Sequence, residues 1–163
     1  MKESEFKELD LKNPKSLKTL ADYARDETAR KLILSSNILS TADWSTNPCS
    51  NSLVELCRLF GNLCFNSPAG RQLVDQTNLL STIFNAVEQQ NLKMTESRLF
   101  AVVPGLLQNY CIDNPSKNIS SIQPLLDQLA TQLLLVQDLE MIKPFQDFLF
   151  AVLGKYINRN ITN

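Results

Sequence analysis

Two stretches of this chain, 47 residues apart, carry the same pattern, and this repetition limits the possible folds more than any other feature. "LFGNLCFNSPA" (59–69) and "LLQNYCIDNPS" (106–116) share an Asn, a Cys and a Pro in the same places. A second pair, "ETARKLIL" (27–34) and "PAGRQLVD" (68–75), recurs at a spacing of 41 residues. The chain therefore contains a repeating unit of about 40–47 residues.

Within the unit, apolar residues follow the spacing of a helix. Over 53–64 they fall on a single stripe made of Leu53, Leu56, Cys57, Phe60, Leu63 and Cys64. This helix should end before Pro68, because the residue preceding a proline is pushed out of the α region, and Ser67 should cap the next helix. Thr77 and Asn78 interrupt the pattern and predict a bend. The stretch 40–52, rich in Ser, Thr and Asn, is predicted to be a loop.

A helical unit that recurs at this length predicts an all-α fold, an armadillo/HEAT-like helical solenoid of about three to four repeats. An irregular helical bundle would show the same stripes, but not the shared Asn, Cys and Pro. We predict one domain over 1–163, with a partial unit at 14–39, full units at 53–90 and 97–136, and a partial unit at 139–160. Because the last partial unit is quite apolar, we expect the stack to continue in a longer array, of which the chain would be the N-terminal part, or to dock on a partner.

The composition argues against an enzyme. The sequence contains no His, which removes the commonest general base and the commonest zinc ligand. It also contains no Gly-rich phosphate loop, so we predict no catalytic residue, no metal and no cofactor. Cys57 and Cys64 lie about two helical turns apart on the apolar stripe, and we interpret them as small buried hydrophobes.

The same composition bears on location and partners. Four Cys residues without an export signal indicate reduced thiols in a cytoplasmic protein. No run of about 18 apolar residues is present, so we expect no membrane insertion. The net charge of -1 provides no overall field for attracting nucleic acid, which we exclude as a partner.

Asn62 and Asn109 are the candidate partner-binding residues, since each lies on the polar side of a strongly apolar helix. Asn is a mediocre helix former, so its return in the same place suggests a role. Its carboxamide could bind a partner's backbone as donor and acceptor; the alternative is a structural Asn that satisfies a neighbouring turn. Pro104 should kink its helix, and Gly105, at the place of Arg58, should leave the groove shallower. The predicted partner-binding groove comprises Glu55, Arg58, Asn62, Asn66, Gln108 and Asn109.

Residues 57–76, "CRLFGNLCFNSPAGRQLVDQ", and residues 106–116 resemble the Smg GDS family, the armadillo-repeat guanine nucleotide dissociation stimulators of small GTPases. The family has a similar "GN-[IL]-C-[YF]…S…GR…VDQ" run, and the resemblance extends over about 53–116. It implies a helical solenoid that binds Rho- or Rap-like GTPases with a basic, possibly prenylated tail, acts as their chaperone and promotes GDP release. The alternative function is a general armadillo adaptor that binds an extended peptide in its concave groove.

Overall fold

The architecture was obtained as a computed structural model, which describes residues 6, 9–40, 42, 49–89, 98–112, 122–124, 126–127, 131, 142–148 and 150–151. All regular secondary structure in these ranges is helical, which confirms the all-α prediction for the described part. The helices are α1 (Pro14–Tyr23), α2 (Glu27–Ser35), α3 (Ser50–Cys64), α4 (Pro68–Gln76), α5 (Leu79–Gln89) and α6 (Leu99–Cys111).

Local side-chain chemistry explains where the helices begin. The side chains of Asn13, Asp26 and Ser67 each precede a helix and accept a hydrogen bond from a main-chain N–H of its first turn. Pro14 and Pro68 occupy the first helical position, where the missing N–H does no harm.

Helix ends follow the predicted breaks. Helix α3 stops at Cys64, and Asn66 then adopts the left-handed conformation (φ 48°) that Asn tolerates better than most residues. Helices α4 and α5 are separated by Thr77 and Asn78, as predicted. The loop prediction for 40–52 is wrong at its end, because α3 already begins at Ser50; residues 41 and 43–48 lie outside the described part.

Helix α3 is the centre of the described core. It packs against α1 and against α6, and its carboxyl end also contacts α4. The side chains of the predicted apolar stripe of α3 are all buried. Three of the four Cys residues, Cys57, Cys64 and Cys111, are buried in this core, as expected for the first two, whereas Cys49 is exposed.

Two glycines mark close approaches of helices. A Cβ placed on Gly61 of α3 would lie 3.4 Å from the Cα atom of Leu106 on α6. A Cβ on Gly70 of α4 would lie 2.0 Å from the main-chain oxygen of Leu63 on α3. The helix backbones thus touch at these points, which fixes α3 closely against both neighbours.

Helix α6 runs without interruption through Pro104, which is buried. The bounds of the four predicted units stay predictions.

Candidate partner-binding face

The two repeated Asn side chains connect neighbouring helices. The side-chain amide of Asn62 on α3 donates to the main-chain oxygen of Ala21 on α1, at 2.8 Å. The side-chain amide of Asn109 on α6 donates in the same way to the main-chain oxygen of Gly61 on α3, at 3.0 Å. The two acceptors, Ala21 and Gly61, also occupy matching places, 40 residues apart. One hydrogen bond therefore recurs between equivalent positions of successive helices.

These bonds define what the Asn residues can offer a partner. The amide hydrogen that points to the preceding helix is used in packing, not by a turn of the same unit. Among the described residues, no contact engages the side-chain oxygen of Asn62 or Asn109, and both residues are half-buried. Partner binding through these residues stays a prediction, and the partner would have to supply the hydrogen-bond donor.

Arg58 forms an ion-pair cluster between α1 and α3. Its guanidinium binds Asp22 of α1 at 2.6 Å and also binds Glu55, one turn earlier on α3. Glu55 is only 7% exposed and Arg58 is half-buried. Both residues were expected on an open polar stripe, but much of their polar surface is occupied by each other and by Asp22.

The ion pair between Asp22 and Arg58 shifts the pKa of both side chains. The hydrogen bond from Arg58 lowers the pKa of Asp22, and the charges of Arg58, Arg25 and Lys18 act in the same direction. Burial of Arg58 works against its charge, but Asp22 and Glu55 outweigh this effect and raise the pKa of Arg58. Both shifts favour the charged forms of Asp22 and Arg58 near neutral pH.

The remaining predicted groove residues divide into two groups. Gln108 and Asn109 lie together on α6, beside α3. Asn66 is exposed but follows the end of α3, so it belongs to the α3–α4 turn and not to the helical stripe. Among the residues of α6 whose burial is described, Ala101 and Gly105 are exposed, and a Cβ on Gly105 would meet nothing within 4 Å. The place that Arg58 fills on α3 is thus open on α6.

Helices α1, α3 and α6 thereby present their solvent-accessible sides along one surface, joined by the Asn bonds and the Arg58 cluster. We call this surface the ladder face and define it by Asp22, Arg58, Asn62, Ala101, Gly105, Gln108 and Asn109.

Away from the ladder face, α2 and α4 are separated by a cleft. The cleft has a volume of about 220 Å³. Its described lining comprises Ile33, Leu34, Asn37, Leu39, Ser40, Ala69, Gln72, Leu73 and Gln76. Helices α2 and α4 carry the matching "ETARKLIL" and "PAGRQLVD" stretches, so two equivalent helices line opposite sides of this cleft, whereas α1 and α3 pack directly.

Arg71 is a residue of the site that the sequence patterns did not assign. Its side chain, 7% exposed, donates to the main-chain oxygen of Cys64 at 2.8 Å and reaches that of Asn109 at 3.5 Å. Arg30, at the equivalent place 41 residues earlier, donates to the main-chain oxygens of Ala24 and Arg25. The recurrence of Arg at this place was the available signal for a structural role.

Two absences within the described ranges concern metal binding and membrane insertion. No group of three or more Cys, Asp or Glu side chains there is placed to hold a metal ion. No helix within those ranges combines the length and apolar character that crossing a membrane requires.

Comparison with known proteins adds no assignment. No protein-family model matches the chain, and no curated protein or solved structure matches it either. The resemblance of 57–76 and 106–116 to the Smg GDS family therefore rests on those sequence motifs, and the function has to be argued from them and from the geometry of the ladder face.

Proposed function

We propose that this chain is a protein-binding module of stacked helical repeats, of the armadillo type, with the ladder face as its binding surface. The observation that carries the proposal is the recurrent hydrogen bond from Asn62 and Asn109 to the preceding helix. Equivalent donors and acceptors in successive units are expected when units stack by a repeated displacement, and not in an irregular bundle.

The two sides of the stack support a curved arrangement. Helices α1 and α3 are in direct contact on the ladder face, whereas the equivalent helices α2 and α4 are separated by the 220 Å³ cleft. Units that are close on one side and separated on the other form a curved array. In this proposal the ladder face is the inner, concave side, which is the extended surface that solenoid proteins use for binding.

The proposed partner class is a small GTPase of the Rho or Rap type, and it comes from the motif resemblance of 57–76 and 106–116. Stimulation of GDP release would require no side-chain chemistry. A surface that binds the nucleotide-free GTPase more tightly than the GDP-bound form shifts the equilibrium towards release.

The second candidate is an adaptor that binds an extended peptide along the same face. It is favoured by the open strip on α6, where Ala101 and Gly105 are exposed and a Cβ on Gly105 would meet nothing within 4 Å. A peptide main chain could approach the helix closely there, and its N–H groups could donate to the side-chain oxygens of Asn62 and Asn109.

The test is a binding titration with Rho and Rap proteins at low salt, prenylated and unprenylated, nucleotide-free and GDP-bound. Gly105→Trp should weaken binding at least tenfold, because a bulky indole would cover the ladder face at a position where a Cβ meets nothing within 4 Å. Gln72→Trp is the matched control, because Gln72 is an exposed residue of α4 that lines the cleft away from the ladder face. This variant should bind like the original chain.

The outcomes separate the hypotheses. Binding that Gly105→Trp abolishes and Gln72→Trp preserves supports the GTPase proposal. Binding that survives Gly105→Trp contradicts the ladder face as the binding surface. Failure to bind any of the GTPases contradicts the GTPase class, and a peptide library screened with the same two variants then decides the adaptor hypothesis.

A further inference from the structure

Helix α4 reaches two of the three helices of the ladder face, α3 and α6, through polar side chains one turn apart. Arg71 donates to the main-chain oxygen of Cys64 on α3 and reaches that of Asn109 on α6. Asp75, four residues later and so on the same side of α4, accepts a 2.6 Å hydrogen bond from the hydroxyl of Tyr110. Two contacts thus connect α4 to adjacent residues of α6.

The carbonyl groups that Arg71 contacts lie in the last turns of α3 and α6. The last four carbonyls of a helix lack partners within the helix, and the carboxyl end of a helix carries partial negative charge. Cys64 is the final residue of α3, and Asn109 lies two residues before the end of α6. The Cys64 oxygen also accepts from the main-chain N–H of Ser67, at 3.2 Å, so Arg71 adds a charged donor there. One buried guanidinium therefore bonds to the end of α3 at 2.8 Å and contacts the last turn of α6 at 3.5 Å.

We propose that Arg71 and Asp75 are positioning residues for the ladder face: they fix the carboxyl end of α6 against α3 and so set the place of Asn109 relative to Asn62. The link is direct, because the main chain of Asn109 is contacted by Arg71 while its side chain donates to Gly61 on α3. The importance of this spacing for binding rests on the proposed function, whereas the positioning itself can be tested on the chain alone.

The preceding unit provides the matched control. Arg30 stands at the place of Arg71, but it donates to the main-chain oxygens of Ala24 and Arg25, which directly follow α1, and its guanidinium lies 5.7 Å from the ring centroid of Phe65 at the end of α3. Leu34 stands at the place of Asp75 and has no group that could accept a hydrogen bond in its side chain. None of these contacts involves α6, so replacing Arg30 should loosen the α1–α2 junction and the contact with Phe65 and leave the carboxyl end of α6 unchanged.

The experiment is amide hydrogen exchange, followed by mass spectrometry or NMR, on Arg71→Met, Arg71→Lys, Arg30→Met and the original chain. Arg71→Met should speed exchange in the last turn of α6 at least tenfold relative to α1. Arg30→Met should act on the end of α1 and spare α6. Arg71→Lys should restore part of the protection, because an ammonium can still donate to one of the two carbonyl groups.

A second readout distinguishes positioning from a general loss of stability. In Arg71→Met, the NMR signal of the Asn109 side-chain amide should move towards that of a solvent-exposed carboxamide, whereas the Asn62 signal should stay. Equal acceleration of exchange in α1 and α6, or movement of both Asn signals, would overturn the proposal. So would unchanged signals.

A milder variant covers the case in which Arg71→Met fails to fold. Tyr110→Phe keeps the ring and removes only the hydroxyl that binds Asp75. It should shift the Asn109 signal in the same direction by a smaller amount, and an unchanged Asn109 signal in a folded Tyr110→Phe chain would contradict the role of Asp75. All these measurements use the chain without a partner, so a failed GTPase titration does not affect them.

Discussion

Gly70→Ala provides a sharp test of how α4 is seated against α3. In an ordinary helix, replacing Gly by Ala stabilises by about 0.5–1 kcal/mol, because the unfolded chain loses freedom. At Gly70 the new Cβ would lie 2.0 Å from the main-chain oxygen and 2.5 Å from the carbonyl carbon of Leu63. These are backbone atoms of α3, so no side-chain rotation relieves the clash and α4 has to shift.

The magnitude follows from what such a shift disturbs. Overpacking of a closely packed interior costs about 1–3 kcal/mol. The shift also lengthens the buried hydrogen bond from Arg71 to Cys64, and leaving such groups unsatisfied costs about 1–3 kcal/mol. After subtracting the helix-propensity gain, Gly70→Ala should lower the free energy of unfolding by about 1–5 kcal/mol. For a chain of this size that corresponds to a melting temperature about 2–20 °C lower.

The other helical glycines give internal controls for the same substitution. A Cβ on Gly105 meets nothing within 4 Å, so Gly105→Ala should stabilise by about 0.5–1 kcal/mol. Gly61→Ala, with Leu106 at 3.4 Å, should be close to neutral. The assay is urea unfolding of all three variants, followed by circular dichroism. A Gly70→Ala chain as stable as the Gly105→Ala chain would refute the contact between α4 and the end of α3.

Three further predictions concern burial and charge. Leu63→Ala removes a fully buried side chain and should lower the free energy of unfolding by about 2–5 kcal/mol in urea titrations; a loss below about 1 kcal/mol would show that the stripe faces water. A thiol reagent near pH 8 should modify Cys49 and spare the three buried thiols, Cys57, Cys64 and Cys111, because burial raises their pKa to about 12. Mass spectrometry that shows all four thiols reacting at the same rate would contradict the burial of these three. Because Arg58 lowers the pKa of Asp22, the pair stabilises the fold above the ordinary Asp pKa of 3.8, and this contribution is lost as pH falls through the lower folded value. Asp22→Asn should reduce that loss in acid titrations of stability, and an acid limb identical to that of the original chain would count against the pair.

The local features of the fold could be predicted from the sequence because their causes are local. A proline and a capping Ser decide where α3 ends and α4 begins, and apolar spacing decides which side of α3 is buried. The start of α3 was misplaced because Ser50 and Asn51 have the composition of a loop, whereas nearby Ser52 is held by a hydrogen bond to the distant main-chain oxygen of Lys12.

The chemistry of the candidate site depended on distances between units, which one sequence does not contain. The repeated Asn was recognised, but whether its amide binds a partner or the preceding helix depends on how closely α1, α3 and α6 approach. Glu55 and Arg58 were expected to face solvent, yet Asp22, 36 residues earlier, completes their ion-pair cluster. The role of Arg71 does not follow from the sequence alone, because a charged residue on a short amphipathic helix ordinarily faces water.

The hydrogen bonds of Asn62 and Asn109 limit which substitutions can test the ladder face. Asp in place of Asn62 or Asn109 would remove the donor and set a carboxylate against a main-chain oxygen, so such a change would disturb the stacking itself. Gly105→Trp avoids this difficulty, since it adds a side chain where the described structure is open.

The stacking of equivalent helices is tested most directly by NMR nuclear Overhauser effects from the two Asn side-chain amides. The account predicts contacts from the Asn62 amide to the α-hydrogen of Ala21 or Asp22, and from the Asn109 amide to the α-hydrogens of Gly61 or Asn62. Contacts confined to residues of the same helix or its adjoining turn would contradict it, because each Asn would then serve its own unit and nothing would relate successive units in the same way.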